Sequence, residues 1–180
     1  MKKLLIFLMM FFLVMSCGKP SSQKAFENRM SDIKSADQIK AKELINSSDS
    51  PAVQKFENFY MNFFKKIEYK VLSAEEKGNE SVLQVEIKAP NVLEPFIDIF
   101  KEGLSLAFSG ATEEDMDKFF NDSMNNILES KDLNYMTGTV PVYMVKTDGD
   151  WEIDTEKSTD LFVYLTGGLS TFAQQYQMNI

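Results

Sequence analysis

Cys17 is the one thiol in this chain, and no histidine accompanies it anywhere in the 180 residues. Without imidazole, histidine-based activation of a nucleophile and histidine-ligated zinc are excluded. Carboxylate pairs or a serine–lysine dyad remain for acid–base work. The carboxylates gather in two places. Glu113, Glu114, Asp115 and Asp117 crowd the predicted first turn of a helix. Negative charge is favoured there by exposed amide groups, so capping accounts for them better than metal binding does. Asp150, Glu152 and Asp154 alternate with Trp151 and Ile153, the pattern of a strand with one solvated face. A calcium loop is the sharper alternative, but the run lacks the spaced oxygen ligands and closing Glu that such a loop needs. Nucleophile elbows, P-loops and dinucleotide fingerprints are missing, and Ser109-Gly110 and Gly167-Gly168 are isolated glycine sites. The chain is therefore read as not an enzyme, with no catalytic residue, no metal ligand and no cofactor.

The other chemistry open to Cys17 is modification. Lys2 and Lys3 precede an unbroken apolar run, Leu4 to Met15, which Ser16, Cys17 and Gly18 close. A helix of about a dozen residues rises only about 18 Å, too short to span a bilayer that needs roughly 20 residues, so the run reads as an export signal. The segment Val14-Met15-Ser16-Cys17 resembles the lipobox of bacterial lipoproteins, with Val in place of the usual Leu and a larger residue, Met15, before Ser16. The resemblance covers the first 18 residues and implies cleavage between Ser16 and Cys17, with diacylglycerol on the Cys17 thiol. The membrane partner would then be reached through that lipid, and labelled palmitate would mark it. Two or three acyl chains make such an anchor stable where one is marginal. The domain would lie outside the cytoplasm on the cell membrane or outer membrane, and Gly18 after the cysteine permits onward transport. Lipidation of the sole cysteine leaves no disulfide.

The formal charge is −8, and loss of Lys2 and Lys3 with the signal makes the remainder more acidic. No basic run or basic–aromatic patch appears, so nucleic acid is not an expected partner. The expected organisation is a signal at 1–16, a lipidated Cys17 and tether at 17–34, and a single domain at 35–180. Gly18 to Gln23 has nothing to bury. From Lys24 to Ile45, Phe26, Met30, Ile33, Ile39 and Leu44 suggest only weak amphipathic helices.

Beyond Pro51 the periods are clearer. Val53, Phe56, Phe59, Tyr60, Phe63 and Phe64 recur at helical spacing. Ile67, Tyr69 and Val71, then Leu83, Val85 and Ile87, alternate with polar residues around Lys77-Gly78-Asn79-Glu80, which predicts an antiparallel hairpin. A helix after Pro90 has Glu94, Asp98, Lys101, Glu102 and Ser105 on its wet side and Val92, Phe96, Ile99, Gly103 and Ala107 toward the core. Thr112 and Asp115 have the spacing of a capping box opening a second helix with Met116, Phe119, Phe120, Met124, Ile127 and Leu128. An extended segment, Leu133 to Lys146, turns at Asp148-Gly149 into a strand with Trp151 and Ile153 inward. A last helix over 158–177 carries Leu161, Leu165, Leu169, Phe172 and Tyr176, and Gly167-Gly168 inside it is read as close packing or a kink.

The fold class is α+β: a curved antiparallel sheet of about four strands from two hairpins, packed against helices, with a helical pair between the hairpins. Over roughly residues 50–175, the segments Lys65–Val71, Val82–Ile87, Gly149–Ile153 and Thr166–Leu169 resemble uncharacterised bacterial lipoproteins with a cone-shaped, nuclear-transport-factor-like or cystatin-like fold. The resemblance implies a sheet wrapped around a helix, often enclosing an apolar cavity. The functional expectation is a lipid-anchored, non-enzymatic envelope protein that binds an envelope protein or a small apolar ligand. A purely structural envelope component and, more distantly, a carboxylate enzyme are the alternatives.

Overall fold

The structure is a computed structural model that describes residues 18–35 and 57–171. Ser16 and Cys17, the expected helix start at Pro51 and the end of the chain beyond Thr171 lie outside the described residues. The elements in chain order are α1 (Ser21–Ser35), α2 (Glu57–Lys65), β1 (Glu68–Lys77), β2 (Glu80–Pro90), α3 (Leu93–Phe108), α4 (Glu113–Glu129), β3 (Tyr135–Thr147), β4 (Asp150–Ile153) and α5 (Thr159–Leu165). The sheet is antiparallel in the order β1-β2-β3-β4, as the α+β reading expects.

Local turn chemistry sets both hairpins. Lys77 pairs with Glu80 across Gly78-Asn79, where Gly78 has φ +64°. Thr147 pairs with Asp150 across Asp148 (φ +53°) and Gly149 (φ +100°), so both central residues adopt the left-handed region that a type I′ turn requires. In β2, Leu83, Val85 and Ile87 are fully buried while Gln84 and Glu86 are exposed, the period-two signature of a sheet with one covered face. β1 breaks that alternation once. Leu72 has no partner between the paired Val71 and Ser73, and this bulge turns Leu72 outward and brings Ala74 back to the inner side.

The first correction is at the amino end. The tether expected over 17–34 is, from Ser21 onward, a helix of the core. Ser22, Phe26, Met30 and Ile33 stand at helical spacing and are all buried, the first three completely. Phe26 meets Tyr69 edge to face at 5.7 Å. α1 packs on β1, β4 and α2, so the domain starts at Ser21 and not at Ser35. The polar composition of 18–23 was misleading because the buried polar group has a partner: the Ser22 and Ser81 hydroxyls are hydrogen-bonded at 2.9 Å.

The second correction is at the other end. The helix expected over 158–177 is interrupted after Leu165 and helical backbone resumes at Leu169, the kink that is one of the two readings of Gly167-Gly168. Gly167 (φ +64°) and Gly168 (φ +90°) turn the chain, their N–H groups donating to the carbonyls of Tyr164 and Val163. A Cβ on Gly167 would stand 2.5 Å from Val92 Cγ2 and 2.8 Å from Phe63 Cε2, so close packing at this glycine accompanies the break in the helix. The Gly167 carbonyl also accepts from Val92 N–H at 3.0 Å, tying this turn to the start of α3.

Candidate functional site

Two surface features stand out from the packed sheet, and both belong to the helical pair. The pair is held by its glycine: a Cβ on Gly103 would sit 2.5 Å from Phe120 Cζ, so α3 offers α4 a socket for that ring. The capping box forms as expected. Thr112 N–H donates to Asp115 Oδ2 at 3.1 Å, and Asp115 N–H donates to Thr112 Oγ1 at 3.2 Å. The Thr112 hydroxyl also donates to Asp115 Oδ2 at 2.6 Å, and this bond first, then the Thr112 N–H bond, lowers the Asp115 pKa.

The first feature is an open groove of about 530 Å³ between α3, α4 and the segment leading to β3. Ile99 and Ile127, both buried, belong to its lining with Leu133. Glu94, Asp98 and Asp132 give it three carboxylates, Asn91, Asn126 and Asn134 give amides, and Ser123 and Ser130 give hydroxyls. No lysine or arginine is among its lining residues. Its end is braced by backbone, with Asn91 N–H donating to Asn134 O at 2.8 Å and Leu93 N–H donating to Asn91 Oδ1 at 3.3 Å. Such a lining suits a hydrogen-bonding or cationic group, unlike the apolar cavity the fold resemblance implied. The inner face of the sheet is filled instead by Phe26, Met30, Phe63 and Leu161 with the β2 side chains.

The second feature is the outer surface of α3. Its expected wet side is exposed, but so is much of the side opposite. Ala107 is exposed, as are Phe100 (46%), Leu104 (45%) and Phe108 (90%), which recur every fourth residue along one stripe. Only Ile99 and Gly103 of this helix are buried. The expectation that all but one face would be covered fails because α4 covers a single side. Periodicity in the sequence places the apolar side on Val92, Phe96, Ile99, Gly103 and Ala107 and does not single out Phe100, Leu104 and Phe108, whose exposure is visible only in the structure.

The carboxylates flagged in the sequence do not converge. Asp150 and Glu152 are exposed along β4, whereas Asp154 lies past the strand end and accepts from Lys157 N–H at 3.1 Å, closing the turn before α5. That bond is the main cause of a lowered Asp154 pKa. Among the described residues no three or more His, Cys, Asp or Glu side chains come together as a metal ion would need. Trp151 and Ile153 are half-buried against the core, and the Trp151 indole N–H donates to Ser21 Oγ at 2.8 Å.

That bond belongs to a clamp that sequence reasoning missed. Glu76 Oε1, on β1, accepts from Ser22 N–H at 2.7 Å and from Ser21 Oγ at 3.0 Å. A carboxylate against the first amides of a helix is favoured electrostatically, and the Ser22 backbone bond is the leading cause of a lowered Glu76 pKa. Lys19 adds an ion pair to Glu27 at 2.6 Å. The start of α1 is therefore fastened to the β1–β2 hairpin and to β4.

No described helix is long and apolar enough to cross a membrane. No known family matches the chain, and no curated protein does. Among solved structures it is similar to that of a "putative lipoprotein (ycdA)" from Bacillus subtilis, at 18% identity and a TM-score of 0.44. The match takes in 74% of this chain and 44% of that one, so this chain spans less than half the length of its structural neighbour.

Proposed function

We propose that this chain is a non-enzymatic lipoprotein of the cell envelope, anchored to the cell membrane or outer membrane through lipid on Cys17, whose helical pair binds a partner protein. The observation that carries the binding half is the stripe Phe100, Leu104 and Phe108, exposed on a helix pair that is otherwise strongly acidic. Exposed apolar groups in a polar surround are how interaction sites are built. Nine acids against two lysines lie between Glu94 and Glu129, so the complementary partner has an apolar seat rimmed by basic residues. The groove beside Glu94 and Asp98 supports a second reading, a small cationic or hydrogen-bonding ligand, because its volume falls in the range of ligand sites.

The anchor is tested by labelled palmitate, which the natural chain should incorporate and Cys17→Ala should not; continued labelling of the variant would sink the anchor. The partner is tested by a photoreactive residue at position 104 in intact envelopes, compared with one at exposed Glu86 on the sheet. A discrete adduct at 104, absent at 86, weakened by salt and lost in Phe108→Ser, is expected. The same adducts from both positions would remove the basis for a docking stripe and leave a purely structural role.

A further inference from the structure

Glu76 and Trp151, which fasten the start of α1, belong to one end of the sheet. Glu76 stands beside the β1–β2 tip, and Trp151 beside the β3–β4 tip. The groove, with Asn91 and Asn134, lies at the opposite end, where β2 finishes and β3 begins. The 11 residues of β2 put roughly 33 Å between the two ends.

We propose that the two hairpin tips, Lys77–Glu80 and Thr147–Asp150, form the face that rests against the bilayer headgroups, and that the α3–α4 pair is held pointing away from the membrane. This rests on the anchoring reading at Cys17. A lipid there is separated from Ser21 by Gly18, Lys19 and Pro20 alone, a stretch of chain that reaches at most about 14 Å. Even this leash is drawn in. Lys19 is paired with Glu27, Lys24 N–H donates to the Pro20 carbonyl at 3.0 Å, and a Cβ on Gly18 would lie 4.0 Å from Lys24 Nζ. An anchor so close to the tips, on a leash less than half the length of the sheet, cannot let the domain turn over.

Charge sets the same direction independently. Once Lys2 and Lys3 leave with the signal, the segment from Glu94 to Glu129 carries −7 of a formal −10, so an anionic leaflet repels the helical pair more strongly than it repels the rest of the molecule. At the tips the exposed Lys19, Lys24, Lys77 and Lys146 stand among acids, and there the leash, not attraction, supplies the seating.

The test uses the full lipidated chain in vesicles of phosphatidylethanolamine and phosphatidylglycerol doped with a headgroup nitroxide. A fluorophore is attached to one added cysteine: Lys77→Cys or Thr147→Cys at the tips, Glu113→Cys at the start of α4 or Lys131→Cys just past its end. Quenching several-fold stronger at the tip positions is expected. Equal or reversed quenching in palmitate-labelled protein would overturn the orientation while leaving the anchor intact. Absence of palmitate would instead defeat the anchoring reading and the orientation with it. A flexible Gly-Ser segment inserted after Gly18 should shrink the difference in these anionic vesicles and erase it in neutral phosphatidylcholine vesicles, and a full difference that survives the longer leash in neutral vesicles would overturn the leash as the cause of the orientation.

Discussion

Phe26 and Phe108 are both phenylalanines on helices, yet one is 0% and the other 90% exposed. The difference follows from what each helix has on its far side. α1 is covered by β1, β4 and α2, and its Ser22 is hydrogen-bonded to Ser81 even in the interior. α3 has α4 on one side and, among the described residues, little else beyond its first turns, so residues of the same type end in water. Charge divides the same way, with most of the net negative charge on the helical pair. One end of the molecule spends its apolar residues on stability, and the other keeps them available for a surface.

The comparison breaks if the two phenylalanines behave alike. Phe26→Ala should cost about 3–5 kcal/mol in denaturant unfolding, because a fully enclosed ring leaves a cavity. A chain starting at Ser35 should then lose cooperative folding altogether. Retention of near-natural stability by either would return α1 to the status of a tether.

A smaller effect is expected at the clamp. Trp151 is half-buried and bonded to Ser21, so Trp151→Ala should cost roughly 2–3 kcal/mol, while Glu152→Ala, on the exposed face, should stay within about 0.5 kcal/mol. Equal losses at the two positions would refute the assignment of β4's faces.

Acid sharpens the contrast further. Folding lowers the Glu76 pKa from its ordinary 4.5, chiefly through the Ser22 amide. The carboxylate therefore contributes stability that is fully present above about pH 4.5 and fades as pH falls through the lowered folded value. The stability difference between the natural chain and Glu76→Gln should shrink with acid across that range. A difference independent of pH would mean that the charge of Glu76 is not what holds α1.

The smallest change is expected at the exposed end. Phe108→Ser should alter stability by no more than about 0.5 kcal/mol, since it removes a ring already in water. A loss comparable to that of Phe26→Ala would show that the stripe is part of the core.

The hairpins and the capping box were legible in the sequence because each is decided within a few residues. Gly78 in the first hairpin turn and Asp148-Gly149 in the second take the positive φ those turns need, and Thr112 with Asp115 satisfies the first amides of α4, whatever surrounds them. Period two in β2 likewise marks its buried side before any partner is known. The basic pair, apolar run and Cys17 on which the proposed export signal rests are likewise read from the chain alone. Tertiary structure decided the rest. Ser21 and Ser22 belong to the fold because Glu76, Ser81 and Trp151, distant in sequence, come close enough to bond them. Gly167 ends a helix where Val92 and Phe63 leave no room for a Cβ. The stripe on α3 stays open because no second layer is packed over it among the described residues. Helical period names the apolar face of a helix, but whether that face meets protein or water depends on long-range contacts that local spacing does not encode.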